Sequence, residues 1–140
     1  MRTKLFVVAM GMAALVLITA PARAHHSFAA EFDVNKPVTL IGNITRMDWV
    51  NPHAWLYIEV TRPDGTVQPW TLEFGAATAL LRRGWRKDLL PVGTQITVTG
   101  FQAKNGAARA NAKDVTLADG KKLFAGTAAA AQGEGGERGF

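Results

Sequence analysis

The chain has 140 residues, a formal net charge of +5, 48% hydrophobic residues and no cysteine. That length holds one domain and not comfortably two, and the lack of cysteine excludes a disulfide framework and a cysteine-ligated zinc site. The charge is not a nucleic-acid footprint: without Arg2, Lys4 and Arg23, which lie in a segment predicted to be removed, Lys plus Arg falls from 16 to 13 against 11 Asp plus Glu, a net of about +2.

Residues 1–24 have the three parts of a secretory signal peptide. Arg2 and Lys4 supply the positive start, Leu5 to Thr19 an uncharged apolar run, and Ala20-Pro21-Ala22-Arg23-Ala24 the small residues a signal peptidase reads. The run falls short of the ~20 apolar residues of a membrane-spanning helix. The expected location is periplasmic or secreted from a Gram-negative cell, with no membrane span after cleavage.

His25 to Pro37 reads as an irregular lead-in with Phe28 and Phe32 as anchors. Val38 to Val50 is rich in β-branched and apolar residues and reads as a first strand bent at Gly42. Asn51-Pro52 is a turn signal. Ala54 to Val60 alternates, with Ala54, Leu56, Ile58 and Val60 on one face and Trp55, Tyr57 and Glu59 on the other. Pro63-Asp64-Gly65 turns the chain into a third strand, Val67 to Phe74, that places Trp70, Leu72 and Phe74 together.

The period then changes. Ala76 to Arg83 is composed of helix formers and stops at Gly84. After a turn at Pro91-Val92-Gly93, Gln95 to Gln102 is a fourth strand with Ile96 and Val98 inward. Asn105-Gly106 is a hairpin signal leading to a fifth strand over Ala107 to Leu117. Asp119-Gly120 turns again, Leu123-Phe124 returns an apolar pair, and residues 125–140 read as a flexible low-complexity tail of Ala, Gly, Gln and Glu. Three strands, a short helix and two strands is the order of an OB-fold, a five-stranded Greek-key barrel. The domain is expected over residues 38–124. A β-sandwich, the alternative, calls for about seven strands.

The chain has three histidines, His25, His26 and His53. Two cuts fit the alanine spacing. A cut after Ala24 makes His25 the first residue, and its α-amine and imidazole then chelate one metal, a histidine brace if a second imidazole faces them. A cut after Ala22 leaves Arg23-Ala24-His25, a planar nitrogen set that suits Cu(II) or Ni(II). His53 follows the Asn51-Pro52 turn at the mouth of the first hairpin. Copper bound by His25, His26 and His53 is the expectation, and a protonated α-amine makes binding pH-dependent. Glu31, Asp33 and Asp48 are acidic candidates nearby.

Trp49, Trp55, Tyr57, Trp70 and Trp85 raise a second reading. OB-folds stack ligands on such rings, so Trp55, Tyr57 and Glu59 form a candidate ligand-binding face. The competing account is that a small domain without disulfides uses its rings as core. Arg82, Arg83, Arg86 and Lys87 make a basic patch, read as a solvated helix face. No Ser-His-Asp order or paired-carboxylate signature stands out, so no residue is assigned a catalytic role.

The segments HHSFAAEFD, KPVTLIGNI, WVNPHAWLYIEV, RRGWRKDLL and LADGKKLFAG resemble an uncharacterised family of small exported Gram-negative proteins. The resemblance covers roughly residues 25–126 and is most specific at the double histidine and at NPHAW. It implies a compartment but no activity, and it places His25, His26 and His53 among the recurring positions. The leading expectation is a periplasmic copper carrier, buffer or sensor. The alternatives are a non-metal periplasmic binding module that uses the aromatic face of the barrel for a glycan, peptide or envelope partner, and a structural envelope protein.

Overall fold

The computed structural model describes residues 28–127. A single helical turn, α1 (Phe28–Glu31), leads into β1 (Phe32–Asp48), β2 (Trp55–Thr61) and β3 (Val67–Glu73). Helix α2 (Ala77–Arg82) and a 3-10 turn (Lys87–Leu89) follow, then β4 (Gln95–Ala103), β5 (Arg109–Thr116) and the short β6 (Lys122–Phe124). The expected class is found: a mostly antiparallel β structure with a short helix between the third and fourth strands.

Five strands close on themselves. β1 pairs antiparallel with β4 from Phe32↔Ala103 to Asn43↔Gln95, and with β2 from Asn43↔Glu59 to Asp48↔Trp55. The long β1 thus leaves one neighbour and joins the other near Gly42, the residue read as a bend. β2 pairs with β3 and β4 with β5, both antiparallel. The ring is completed by a short parallel pairing of β3 with β5, Thr71↔Arg109, Leu72↔Ala110 and Glu73↔Asn111. β6 adds to β5 outside the ring.

Period-two alternation explains the interior. Ala54, Leu56 and Ile58 are buried, as are Trp70, Leu72 and Phe74, and Ile96 and Val98. They meet Leu40, Ile44 and Val115 in one cluster, which α2 covers with Leu80 and the following loop with Trp85. Removal of this apolar area from water is the main stabilising term for a domain without disulfides. Helix α2 ends where expected, before Gly84 at φ +91°. The apolar pair expected to return does so as β6, whose Phe124 carbonyl accepts the Trp85 indole N–H at 2.9 Å.

The start of the sheet differs from the sequence reading. β1 begins at Phe32 rather than Val38, and the lead-in expected to be irregular is strand from Phe32 onward. Residues Val34 to Pro37 are exposed and the register shifts between Phe32 and Pro37. No alternation marks such a stretch. It is held at its end by a second, separate cluster, in which Phe28 packs on Phe32 and Phe101 with ring centroids 5.7 Å apart in both contacts.

Candidate functional site

The loop between β1 and β2 carries His53, and its neighbours pin it. Ala54 donates to the Gly75 carbonyl at 3.1 Å and accepts from the Phe74 amide at 2.8 Å, which continues the β2–β3 ladder past the strands. Asn51 Oδ1 accepts the Thr78 amide at 3.3 Å, and the Val50 carbonyl accepts the Ala77 amide at the start of α2. His53 is therefore held against the end of β3. Its Nδ1 lies 3.3 Å from the Phe74 carbonyl and 3.6 Å from Glu73 Oε1.

Glu73 is the centre of a charged cluster. It is buried, and Arg109 Nη2 donates to its Oε2 at 3.2 Å. The same nitrogen donates to Glu31 Oε2 at 2.8 Å. Asn111 Nδ2 is 3.4 Å from Glu73 Oε1, while Asn111 Oδ1 is buried without a hydrogen-bond partner among the described residues. The Arg109 guanidinium is flanked by the rings of Trp55 at 5.1 Å and Phe32 at 5.4 Å. Burial pushes the Glu73 carboxyl above the ordinary carboxylate value, against the opposing pull of His53 and Arg109.

Topology explains the assembly. Glu73 ends β3, where it is paired to Trp55 of β2 and to Asn111 of β5. The lead-in reaches the same place through Glu31, and Lys104 fastens it. The Lys104 amide donates to the Glu31 carbonyl at 2.9 Å, and Lys104 Nζ donates to the Ala29 carbonyl at 2.6 Å.

The candidate residues of the sequence fall in different places. His25 and His26 lie outside the described residues. His53 is half-buried within the cluster. Trp55 and Tyr57 are half-buried on the outer face of β2 and Glu59 is exposed, as the alternation requires. Trp55 faces Arg109, and Tyr57 lies under Arg46, whose guanidinium carbon is 3.9 Å from the ring centroid. Asp48 pairs with Arg46 at 3.1 Å, and Asp33 accepts the Asn35 amide. Trp70 and Trp85 are core, and Trp49 packs against Trp85. In the basic patch, Arg83 donates to the Gly126 carbonyl at 2.9 Å, while Arg82, Arg86 and Lys87 are exposed.

Sequence reading missed Glu73, Arg109 and Asn111. The available signal was a carboxylate between Leu72 and Phe74 and an asparagine between Ala110 and Ala112, polar groups inside apolar strands. Among the described residues no three His, Cys, Asp or Glu side chains form a metal-ready group, and His53 is the sole histidine. No helix among them is long and apolar enough to cross a membrane.

A family whose description reads "Family of unknown function (DUF6152)" matches residues 13–112. Neither the curated proteins nor the solved structures provide a match.

Proposed function

The chain belongs to this family of unknown function, which brings no activity with it, and from the residues themselves we propose an exported, OB-like domain that binds a divalent metal, copper foremost. The ligands are the imidazole of His53 and the nitrogens of the processed N-terminus at His25 and His26. The protein carries, buffers or senses the ion in the periplasm.

One observation carries the reading. Arg109 bridges Glu31, near the start of the described chain, to Glu73, whose carboxylate faces His53. The lead-in is thereby fastened on the side of the ring that holds His53. Phe28, three residues after His25, is anchored on Phe32 and Phe101. At ~3.3–3.6 Å per residue, a short segment of chain separates that anchor from the two histidines. Nitrogen ligands including an imidazole favour Cu(II) over the other divalent first-row ions.

The test is Cu(II) titration by calorimetry, with EPR, on correctly processed protein whose N-terminus is fixed by intact mass. The expected result is tight binding that is lost in the His25→Ala, His53→Ala double variant and sharply weakened by an N-terminal extension. Equal binding by wild type and the double variant overturns the reading. The alternative face of Trp55, Tyr57 and Glu59 is less favoured, because Arg109 and Arg46 already lie on its two rings.

A further inference from the structure

The ring packs on two sides, and different residues build each. The alternation that turns Ile96 and Val98 inward sets Phe101 and Ala103 on the outer face of β4. Both are buried there with Phe32, and Phe28 packs against them, in a cluster separate from the interior one. Residues 28–32 thus lie across the outside of the closed ring as a strap. Three kinds of contact hold it. The Phe28 ring meets Phe101 edge-on with centroids 5.7 Å apart. The Lys104 amide donates to the Glu31 carbonyl at 2.9 Å, and Lys104 Nζ to the Ala29 carbonyl at 2.6 Å. Arg109 Nη2 donates to Glu31 Oε2 at 2.8 Å. Phe101, Lys104 and Arg109 all belong to the β4–β5 hairpin.

The chain that follows the strap is slack. β1 takes five positions, from Phe32 to Pro37, to pass two of β4, from Ala103 to Phe101. Val34 to Pro37 are exposed and give no side chain to either cluster. A turn of the chain within this stretch therefore leaves Leu40 and Ile44 in place in the interior. The second carboxylate on Arg109, Glu73, belongs to β3 and stays with the ring whether the strap is down or lifted.

We infer that residues 28–32 are a strap that lifts from the β4–β5 hairpin as one unit while the ring stays closed, with the Glu31–Arg109 pair as its salt-sensitive latch. The Arg109 and Glu31 side chains are 37% and 28% exposed, so dissolved ions screen their attraction. The latch loosens as ionic strength rises, whereas the apolar interior does not depend on it. Lifting bares Phe101 and Ala103 and removes one of the two carboxylates from Arg109. The device needs no metal and stands apart from the reading above.

The experiment is native-state amide exchange by NMR on the full chain, at ~0.01 M and ~1 M NaCl, between which the screening length falls from ~30 to ~3 Å. The Lys104 amide reports the strap, because its acceptor is the Glu31 carbonyl. The Thr71 amide, bonded to the Ala108 carbonyl at 3.1 Å, reports the seam, and the Phe74 amide, bonded to the Ala54 carbonyl at 2.8 Å, reports the interior. A unit that opens locally exchanges with less free energy than whole-domain unfolding requires. In wild type, Lys104 is expected to exchange faster than Thr71 and Phe74, and faster again at high salt. Glu31→Gln is expected to speed Lys104 up to about 5-fold at low salt and to abolish its salt dependence, with Phe74 unchanged. Adding Arg109→Gln to Glu31→Gln speeds Lys104 no further, since the pair is already broken. Phe28→Ala speeds Lys104 and keeps the salt dependence. Protection of Lys104 equal to that of Phe74 in every protein overturns the strap, as does an unchanged rate in Phe28→Ala. Salt dependence that persists in Glu31→Gln, or additive effects in the double variant, overturns the latch.

Discussion

Arg109 and Glu31 stand 78 residues apart in the chain and meet at 2.8 Å, and the same Arg109 nitrogen reaches Glu73 at 3.2 Å. One guanidinium thus answers two carboxylates, one of them buried. Removing it leaves the Glu73 charge without its closest cation. Arg109→Gln is expected to lower stability by about 1–3 kcal/mol, less than the about 3–5 of a fully buried pair. The discount follows from the 37% side-chain exposure of Arg109, which lets water answer part of the charge. Urea denaturation of the two proteins measures the difference.

Gly42 and Gly100 mark two close approaches between strands. A Cβ at Gly42 stands 2.7 Å from the Glu59 carbonyl oxygen of β2. At Gly100 a Cβ overlaps the Asn111 backbone carbonyl of β5, beside the register shift of that pair. In both cases the obstacle is backbone, which yields only by moving a strand. Gly42→Ala is expected to cost about 1–3 kcal/mol. Gly100→Ala is expected to cost more, with the pairing near Asn111 visibly loosened in amide exchange. Equal stability of either variant and wild type contradicts the strand spacing described above.

Trp85 joins the helix region to the last strand. Its ring is buried against Phe74, and its N–H is bonded to the Phe124 carbonyl. Trp85→Phe retains most of the apolar contact but leaves that carbonyl without its donor, a loss of about 1–3 kcal/mol. Trp85→Ala adds a cavity and is expected to cost about 3–5 kcal/mol. Thermal or urea unfolding followed by circular dichroism ranks the two.

The β2–β3 turn has its own acid sensitivity. Asp64 accepts the Thr66 hydroxyl at 2.6 Å and the Thr66 amide at 2.9 Å. The hydroxyl contact, then the amide, holds its carboxyl below the ordinary value of 3.8. A depressed carboxyl contributes stability above its unfolded pKa, and that contribution fades as pH falls through the folded one. Asp64→Ala is therefore expected to be less stable than wild type at pH ~7, with the gap narrowing at a pH well below 3.8. Paired melts at the two pH values test this. A gap unchanged at low pH means that the carboxylate charge plays no part.

Much of the ring is legible in the sequence because its signals are local. The alternation of Ala54 to Val60 and the spacing of Trp70, Leu72 and Phe74 show which side chains face inward. The turns at Gly65, Gly93, Gly106 and Gly120 lie where Pro, Asp and Asn precede glycine closely. The beginning of β1 is not legible, since Val34 to Pro37 has neither alternation nor burial, and its pairing depends on Phe32 meeting Ala103 far along the chain. The polar cluster is hidden for the same reason. His53 and Glu31 stand out near the histidine motifs, but Glu73, Arg109 and Asn111 come together only through the parallel β3–β5 contact. No period within a strand announces a partner from another.

That contact is three residue pairs long, and three of its six residues, Glu73, Asn111 and Arg109, belong to the cluster. The ring's seam and the polar site therefore share one address. Without this junction the β2–β3 ladder can still set Glu73 beside His53, and the β1–β4–β5 pairings can still set Arg109 beside Glu31, but the two halves are not joined. The seam joins residues far apart in the chain, Thr71 to Arg109, so closing it carries a loop-closure cost of its own. The Arg109 bridge from Glu31 to Glu73 is thus complete only where the ring is closed.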